Sequence, residues 1–154
     1  MQDTPDTRAA DPAASVLGFD FGTRFIGVAV GNRLSGARAL ETVNHHTLEP
    51  DWQRIDALVR EWRPAQLIVG LPLQMDGSEQ AMTHAARGFA AGIGERYHLP
   101  VRMVDERLTS IEASHRFAAQ RARGTARRKD VAGLDAIAAE IILETWLAQA
   151  QPDP

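Results

Sequence analysis

A single carboxylate interrupts the most apolar stretch of this chain. From Val16 to Val30 the sequence runs Val-Leu-Gly-Phe-Asp-Phe-Gly-Thr-Arg-Phe-Ile-Gly-Val-Ala-Val, with Asp20 near its middle. The pattern predicts two adjoining strands, Val16–Asp20 and Phe25–Gly31, joined by a tight turn. An isolated ionised carboxylate in apolar surroundings is costly unless something holds its charge. A bound cation is the usual partner, so the fold must bring Asp20 to a place where one can reach it.

The rest of the chain alternates strands and helices. Ala37–Asn44 reads as a third strand completing a meander, and Asp51–Trp62 as an amphipathic helix with Ile55, Leu58, Val59 and Trp62 at helical spacing, ended by Pro64. Gln66–Gly70 is a short apolar strand that runs into a loop with turn chemistry at Asp76-Gly77. Ser78 is the expected N-cap of a helix reaching about Tyr97. Pro100–Val104 is the next strand, Thr109 or Ser110 caps a helix to about Gln120, and a last helix spans Gly133 to Gln149. Strands first, then strand and helix in alternation, predict an α/β protein with a mixed sheet flanked by helices. Residues 1–14 read as a disordered leader, 15–149 as one domain and 150–154 as a flexible tail.

Composition narrows the function classes. The 154 residues contain no cysteine, which removes disulfides and thiolate metal sites. No stretch approaches the roughly 20 apolar residues of a membrane span, and Met1–Ala14 lacks the apolar core of a secretory signal, so the cytoplasm is the expected compartment. A net charge of −3 argues against coating nucleic acid by bulk charge. The segment from Arg116 to Lys129, however, carries Arg121, Arg123, Arg127, Arg128 and Lys129 with no acid among them. Such an arm suits one local grip on a polyanion, and equally a solvated loop.

Two further sites place acids in apolar company. The strand Val101–Asp105-Glu106 puts Arg102, Val104 and Glu106 on one face and Val101, Met103 and Asp105 on the other, so only one of the adjacent acids can point with Asp20. In the last helix Asp135 shares a stripe with Ala138, Ala139, Ile142 and Trp146. Each acid also has a local role available: Asp20 beginning a turn, Asp105 capping a helix with Glu106 pairing Arg107, Asp135 favouring a helix N-terminus. Together, two strand ends and one helix start could converge at the carboxyl edge of the sheet, where ligands bind in α/β folds. Such carboxylates take Mg²⁺ or Mn²⁺, and paired metals about 3.5–4 Å apart drive phosphodiester hydrolysis. The five histidines lack metal-ligand spacing and read as surface or packing residues.

These blocks resemble the YqgF (RuvX-like) family of Holliday junction resolvases and nucleases of the ribosomal RNA precursor. The resemblance covers about residues 15 to 148. It is carried by Leu17-Gly18-Phe19-Asp20-Phe21-Gly22-Thr23-Arg24 with Ile26–Val30, Val69-Gly70-Leu71-Pro72-Leu73, Met75-Asp76-Gly77-Ser78, Asp105-Glu106-Arg107-Leu108-Thr109-Ser110 and Asp135–Ala139 with Ile141–Leu143. It implies an RNase H-like mixed five-stranded sheet and a metal-dependent nuclease that processes the 5′ end of the 16S ribosomal RNA precursor in ribosome biogenesis. It further implies that Asp20, Glu106 and Asp135 are catalytic metal ligands for Mg²⁺ or Mn²⁺. Arg24, Arg107, Gly22, Thr23 and Ser78 would contact the substrate, joined by Arg127, Arg128 and Lys129. Where the family usually carries a second basic residue this chain has Phe25, and the family motif contains both Asp105 and Glu106.

Three other readings compete. Asp-Phe-Gly-Thr also resembles the first phosphate motif of the actin and hexokinase ATPases, but 154 residues lack the second lobe those proteins need. A resolvase of branched DNA would act as a symmetric dimer, whereas Trp52, Trp62 and Trp146 read as core and the chain as a monomer or weak homodimer. A non-catalytic nucleic-acid-binding or transcription-associated module would keep the fold without the chemistry.

Overall fold

Backbone pairing follows the apolar runs. The computed structural model describes residues 10–46, 49–107, 115, 119 and 133–149. Six strands lie in the order β4-β3-β2-β1-β5-β6: β1 (Val16–Phe21), β2 (Phe25–Asn32), β3 (Gly36–His46), β4 (Glu49–Pro50), β5 (Gln66–Leu71) and β6 (Val101–Asp105). The β1–β2–β3 meander is antiparallel, while β5 joins β1 and β6 joins β5 in parallel. This is the mixed sheet flanked by helices that the sequence predicts, with one strand added to the expected five. Two residues, β4, pair with the end of β3 at His45 and His46.

Alternation along the strands divides the core in two. Leu17, Phe19, Ile26, Val28, Val30, Leu67 and Val69 point to the face covered by α1 (Trp52–Trp62) and α2 (Ala81–Tyr97). There Phe89 stacks on Phe21 at 4.8 Å between ring centres and meets Phe19 edge-on at 5.6 Å. Val16, Ala29, Ile68 and Val104 point to the other face, under α3 (Gly133–Ala148), where they pack with Ala139, Ile142, Leu143 and Trp146. Trp146 is core, as its spacing predicts, and Trp52 and Trp62 pack partly buried against the opposite cluster.

Helix ends carry the local chemistry that fixes their lengths. Asp51 caps α1 by accepting from the Arg54 amide, and Arg63 closes it in the left-handed conformation at φ 44°, just before Pro64. Ser78 does not cap α2. Its amide and hydroxyl both donate to Asp76, which commits Ser78 to the preceding turn. The helix starts later, where the Gln80 amide donates to the Thr83 hydroxyl and that hydroxyl donates to the Pro72 carbonyl. The helix expected over 109–120, the basic arm through Lys129 and the tail from 150 fall outside the described residues, apart from positions 115 and 119. Residues 10–14, at the end of the expected leader, form a turn whose Pro12 carbonyl accepts from the Arg33 amide.

Two contacts pin α3 to the meander. A bulge between Val28 and Ala29 makes Leu40 the extra residue on β3, and the freed Ala39 amide donates to Glu140 of α3 at 2.8 Å. At the other end the Arg33 guanidinium donates to the Leu147 carbonyl at 2.6 Å and lies 4.5 Å from the centre of the Trp146 ring. Among the described residues no helix is long and apolar enough to cross a membrane.

On the opposite face α1 and α2 are clamped by Asp56, which receives two bonds of 2.8 Å from Arg96 and one of 2.6 Å from the Tyr97 hydroxyl. Arg96 and Tyr97 hold the Asp56 carboxyl down at about 2. A depressed acid stabilises the fold above its unfolded pKa of about 3.9 and loses that contribution as pH falls through its folded value. Asp56→Asn is therefore expected to cost about 1 kcal/mol at neutral pH. Urea titrations should also show a flatter stability profile between about pH 4 and pH 2 in the variant.

Candidate active site

Three glycines on three strands let α3 lie unusually close to the sheet. A Cβ on Gly18 would meet the Leu143 Cβ at 3.0 Å, and one on Gly70 would meet Ile142 and the Glu106 carboxyl. A Cβ on Gly27 would fall on the Asp135 carbonyl, so the first turn of α3 rests directly on β2 at that point. Gly27 is the ladder partner of Asp20. The sheet register thus delivers Asp20 to the side of the helix turn that carries Asp135.

The question left open by strand parity is answered by burial. Glu106, just past β6, is 8% exposed and its carboxyl hydrogen-bonds to Asp20. Its amide donates to the Leu71 carbonyl at 3.0 Å, and the absence of a side chain at Gly70 makes room for its carboxyl group, 2.6 Å from where a Cβ would stand. Asp105 turns the other way, accepting from the Arg107 amide and pairing with the Arg107 guanidinium at 2.6 Å. The pairing of Glu106 with Arg107 weighed from sequence is therefore replaced by an Asp105–Arg107 pair, because β6 points its alternate acids to opposite faces.

Electrostatics follow from this crowding. Burial raises both Asp20 and Glu106, and the Asp20 charge and hydrogen bond push Glu106 further up, well above the ordinary carboxylate range. Asp135 is half-buried and is raised to about 6 by burial and by the Asp20 charge. It feels Asp20 without closing on it. Among the described residues no group of three or more His, Cys, Asp or Glu side chains is gathered tightly enough to hold a metal ion. The donor chemistry nevertheless fits a hard divalent cation: all three groups are carboxylates, and two of them, Asp20 and Glu106, are in hydrogen-bond contact.

The remaining expected contacts surround this edge. Gly22 begins the β1–β2 turn, its amide donating to the Phe25 carbonyl at 2.9 Å, and Thr23 and Arg24 are exposed on that turn. Arg107 reaches from β6 to the Met75 carbonyl at 3.5 Å, tying the 72–79 loop to the residue after Glu106. Ser78 is on the same loop, in the Asp76 turn. Arg127, Arg128 and Lys129 lie outside the described residues. The sequence reading missed Gly27 as a site residue and took Gly70 only as the start of a phosphate-contacting loop, although a glycine inside an apolar strand is itself a signal of close backbone approach.

The family profile described as "RuvX: Holliday junction resolvase" matches residues 14–149. A protein of Xanthomonas campestris pv. campestris (strain B100) named "Putative pre-16S rRNA nuclease" is 50% identical over 145 residues, 94% of each chain. A relative of the same name from Xanthomonas oryzae pv. oryzae (strain PXO99A) is also 50% identical over 145 residues and 94% of each chain. Among solved structures, T. thermophilus RuvC in complex with a Holliday junction substrate aligns with a TM-score of 0.48 at 20% identity, over 86% of this chain and 92% of that one. The yeast mitochondrial Holliday junction resolvase Ydc2 aligns at 0.48 and 12%, over 88% and 78%.

Two measurements test the geometry. Gly70→Ala places a methyl group against Glu106 and Ile142, and overpacking of this kind costs about 1–3 kcal/mol. Raised acids withhold stability above their unfolded pKa, so the chelated protein should weaken as pH rises from about 4 through about 6 and beyond. Asp20→Asn removes the charge that raises the other two acids. In urea unfolding with a chelator it should be more stable than the parent by about 1 kcal/mol at about pH 8, with the gap closing by about pH 4. A less stable variant at high pH would contradict the crowding.

Proposed function

The chain belongs to the RuvX family, matched over residues 14–149, and from that premise we propose that it is a metal-dependent nuclease whose substrate is the 5′ end of the 16S ribosomal RNA precursor. The observation that carries this reading is the buried Asp20–Glu106 contact at the sheet edge, with Asp135 electrostatically coupled to it. The RNA substrate is favoured by the name shared by the relatives at 50% identity.

In this reading Asp20, Glu106 and Asp135 are the catalytic carboxylates and hold Mg²⁺ or Mn²⁺. When bound, the metal lowers the pKa of an attacking water and neutralises the departing oxygen. Glu106 would bind a metal as the carboxylate, so with its pKa raised by burial and by Asp20, metal loading would be linked to loss of its proton. Gly27 and Gly70 keep the acids in register by letting α3 and the Glu106 carboxyl approach the sheet. Gly22, Thr23 and Arg24 on the first turn, and Arg107 and Ser78 at the 72–79 loop, hold the nucleic-acid backbone, with Arg127, Arg128 and Lys129 adding sequence-independent phosphate contacts. Asp105 orients Arg107 by a pair that a phosphate can compete for. The protein acts in the cytoplasm as a monomer or weak homodimer.

A second reading, cleavage of four-way DNA junctions, is favoured by the description of the family. The discriminating experiment is a metal-dependent cleavage assay on an RNA bearing the unprocessed 5′ end of the small-subunit precursor and on a synthetic four-way junction. The intact protein is expected to cut the RNA selectively and Asp135→Asn to lose that cutting. Junction-selective cutting would replace the RNA reading, and binding without cutting of either would leave a non-catalytic module.

A further inference from the structure

A cavity of about 310 Å³ opens beside the acid site, lined by Thr23, Arg24, Phe25, Asn44 and His45. Its position follows from the sheet register. Asp20 pairs with Gly27, Gly27 with Thr42, and the next ladder pair on the same face is Phe25 with Asn44. Two residues of strand advance about 7 Å, so Phe25 and Asn44 lie just past the end of α3 that rests on Gly27, on the face that bears Asp20.

The lining has the chemistry of a base site more than of a phosphate site. Phe25 is half-buried and offers a ring, with the Arg24 guanidinium 5.8 Å from its centre. Arg24 is the one cation in the lining, too little positive charge for a dedicated phosphate cradle. Asn44 is exposed and carries both a donor and an acceptor, as a base edge requires. His45 borders the cavity next to Asn44, while its ring turns to the opposite face of the sheet and meets Phe21 edge-on at 5.5 Å. The His45 amide donates to the Arg24 carbonyl at 3.1 Å, which locks the turn to β3 and preforms the cavity.

We propose that this cavity receives an unpaired nucleobase of the substrate strand, adjacent to the phosphate at the acids, with Phe25 as the stacking surface and Asn44 contacting the base edge. The proposal deepens the nuclease reading and rests on it for the position of the scissile phosphate. It makes Phe25 a positioning residue: stacking of one base sets where the backbone crosses Asp20. A duplex cannot fill the slot without extruding a base, so the site selects single-stranded or frayed ends.

The test separates the two claims. A short single-stranded oligoribonucleotide and the same oligomer with one abasic position are titrated into the protein under chelation, with aromatic NMR signals of Phe25 and His45 observed. Metal-dependent cleavage of the base-containing oligomer is measured in parallel. Loss of one stacked base is expected to weaken binding about tenfold, within the range for base–aromatic stacking. Phe25→Leu, which keeps an apolar side chain for folding, should show the same weakening with the intact oligomer and no further loss with the abasic one; Phe25→Trp should restore base dependence. In cleavage, Phe25→Leu should lower kcat as well as raise KM on the base-containing oligomer, because the backbone is no longer placed at the acids. Equal binding of intact and abasic oligomers, no binding at all, or an unmoved Phe25 signal would overturn the base site even if cleavage persists. Base-dependent binding through Phe25 without any cleavage would uphold the site and defeat the nuclease reading instead.

Discussion

The contact on which the site depends is that of the first turn of α3 with Gly27. A helix normally stands off a sheet by the thickness of the side chains between them, and here that layer is missing at Gly18, Gly27 and Gly70. With a Cβ at Gly27 the turn that bears Asp135 would have to lift away from Asp20, the ladder partner of Gly27. The far end of the same helix is secured by Arg33 at the Leu147 carbonyl and its middle by Glu140 at the Ala39 amide. The helix is therefore held along its length, and the position of Asp135 is a property of the whole α3–meander interface.

That precision comes at an electrostatic cost. Asp20 and Glu106 are brought together in a buried place where both cannot ionise without repulsion, and both are raised accordingly. Asp135, half-buried and raised, stands close enough to add to the same field. Elsewhere the protein pairs its charges conventionally: Asp56 with Arg96, Glu41 with Arg54, Glu79 with Arg87. Among the described residues the acids raised by burial are these three, which is the pattern of a site that trades folding stability for chemistry.

Much of this was legible in the sequence because it is local. Period-two alternation placed Asp20 with Val16 and Gly18, and the helical stripe placed Asp135 with Ala138, Ala139 and Ile142. The choice between Asp105 and Glu106 was not legible. Parity shows that they oppose each other, but which face meets Asp20 depends on the β5–β6 register and on the room at Gly70. Ser78 was misread for a related reason: Asp76 lies two residues upstream and competes for its amide and hydroxyl, so the cap moved to Gln80 and Thr83. The bulge at Leu40 and the two-residue β4 likewise depend on cross-strand pairing that no local pattern records.

Phe25 shows how a departure from a family pattern gains meaning only in the fold. As a letter it removes a positive charge from a segment expected to meet phosphate. In the sheet it stands two ladder pairs beyond Gly27, opposite Asn44 and beside a cavity. A basic side chain there would add a second diffuse attraction for any polyanion, which carries no information about strand order or pairing. A ring adds an orientation-dependent surface, sensitive to whether a base is available to stack. The exchange of charge for ring thus shifts the recognition load from the backbone to an unpaired base at the position next to the acids.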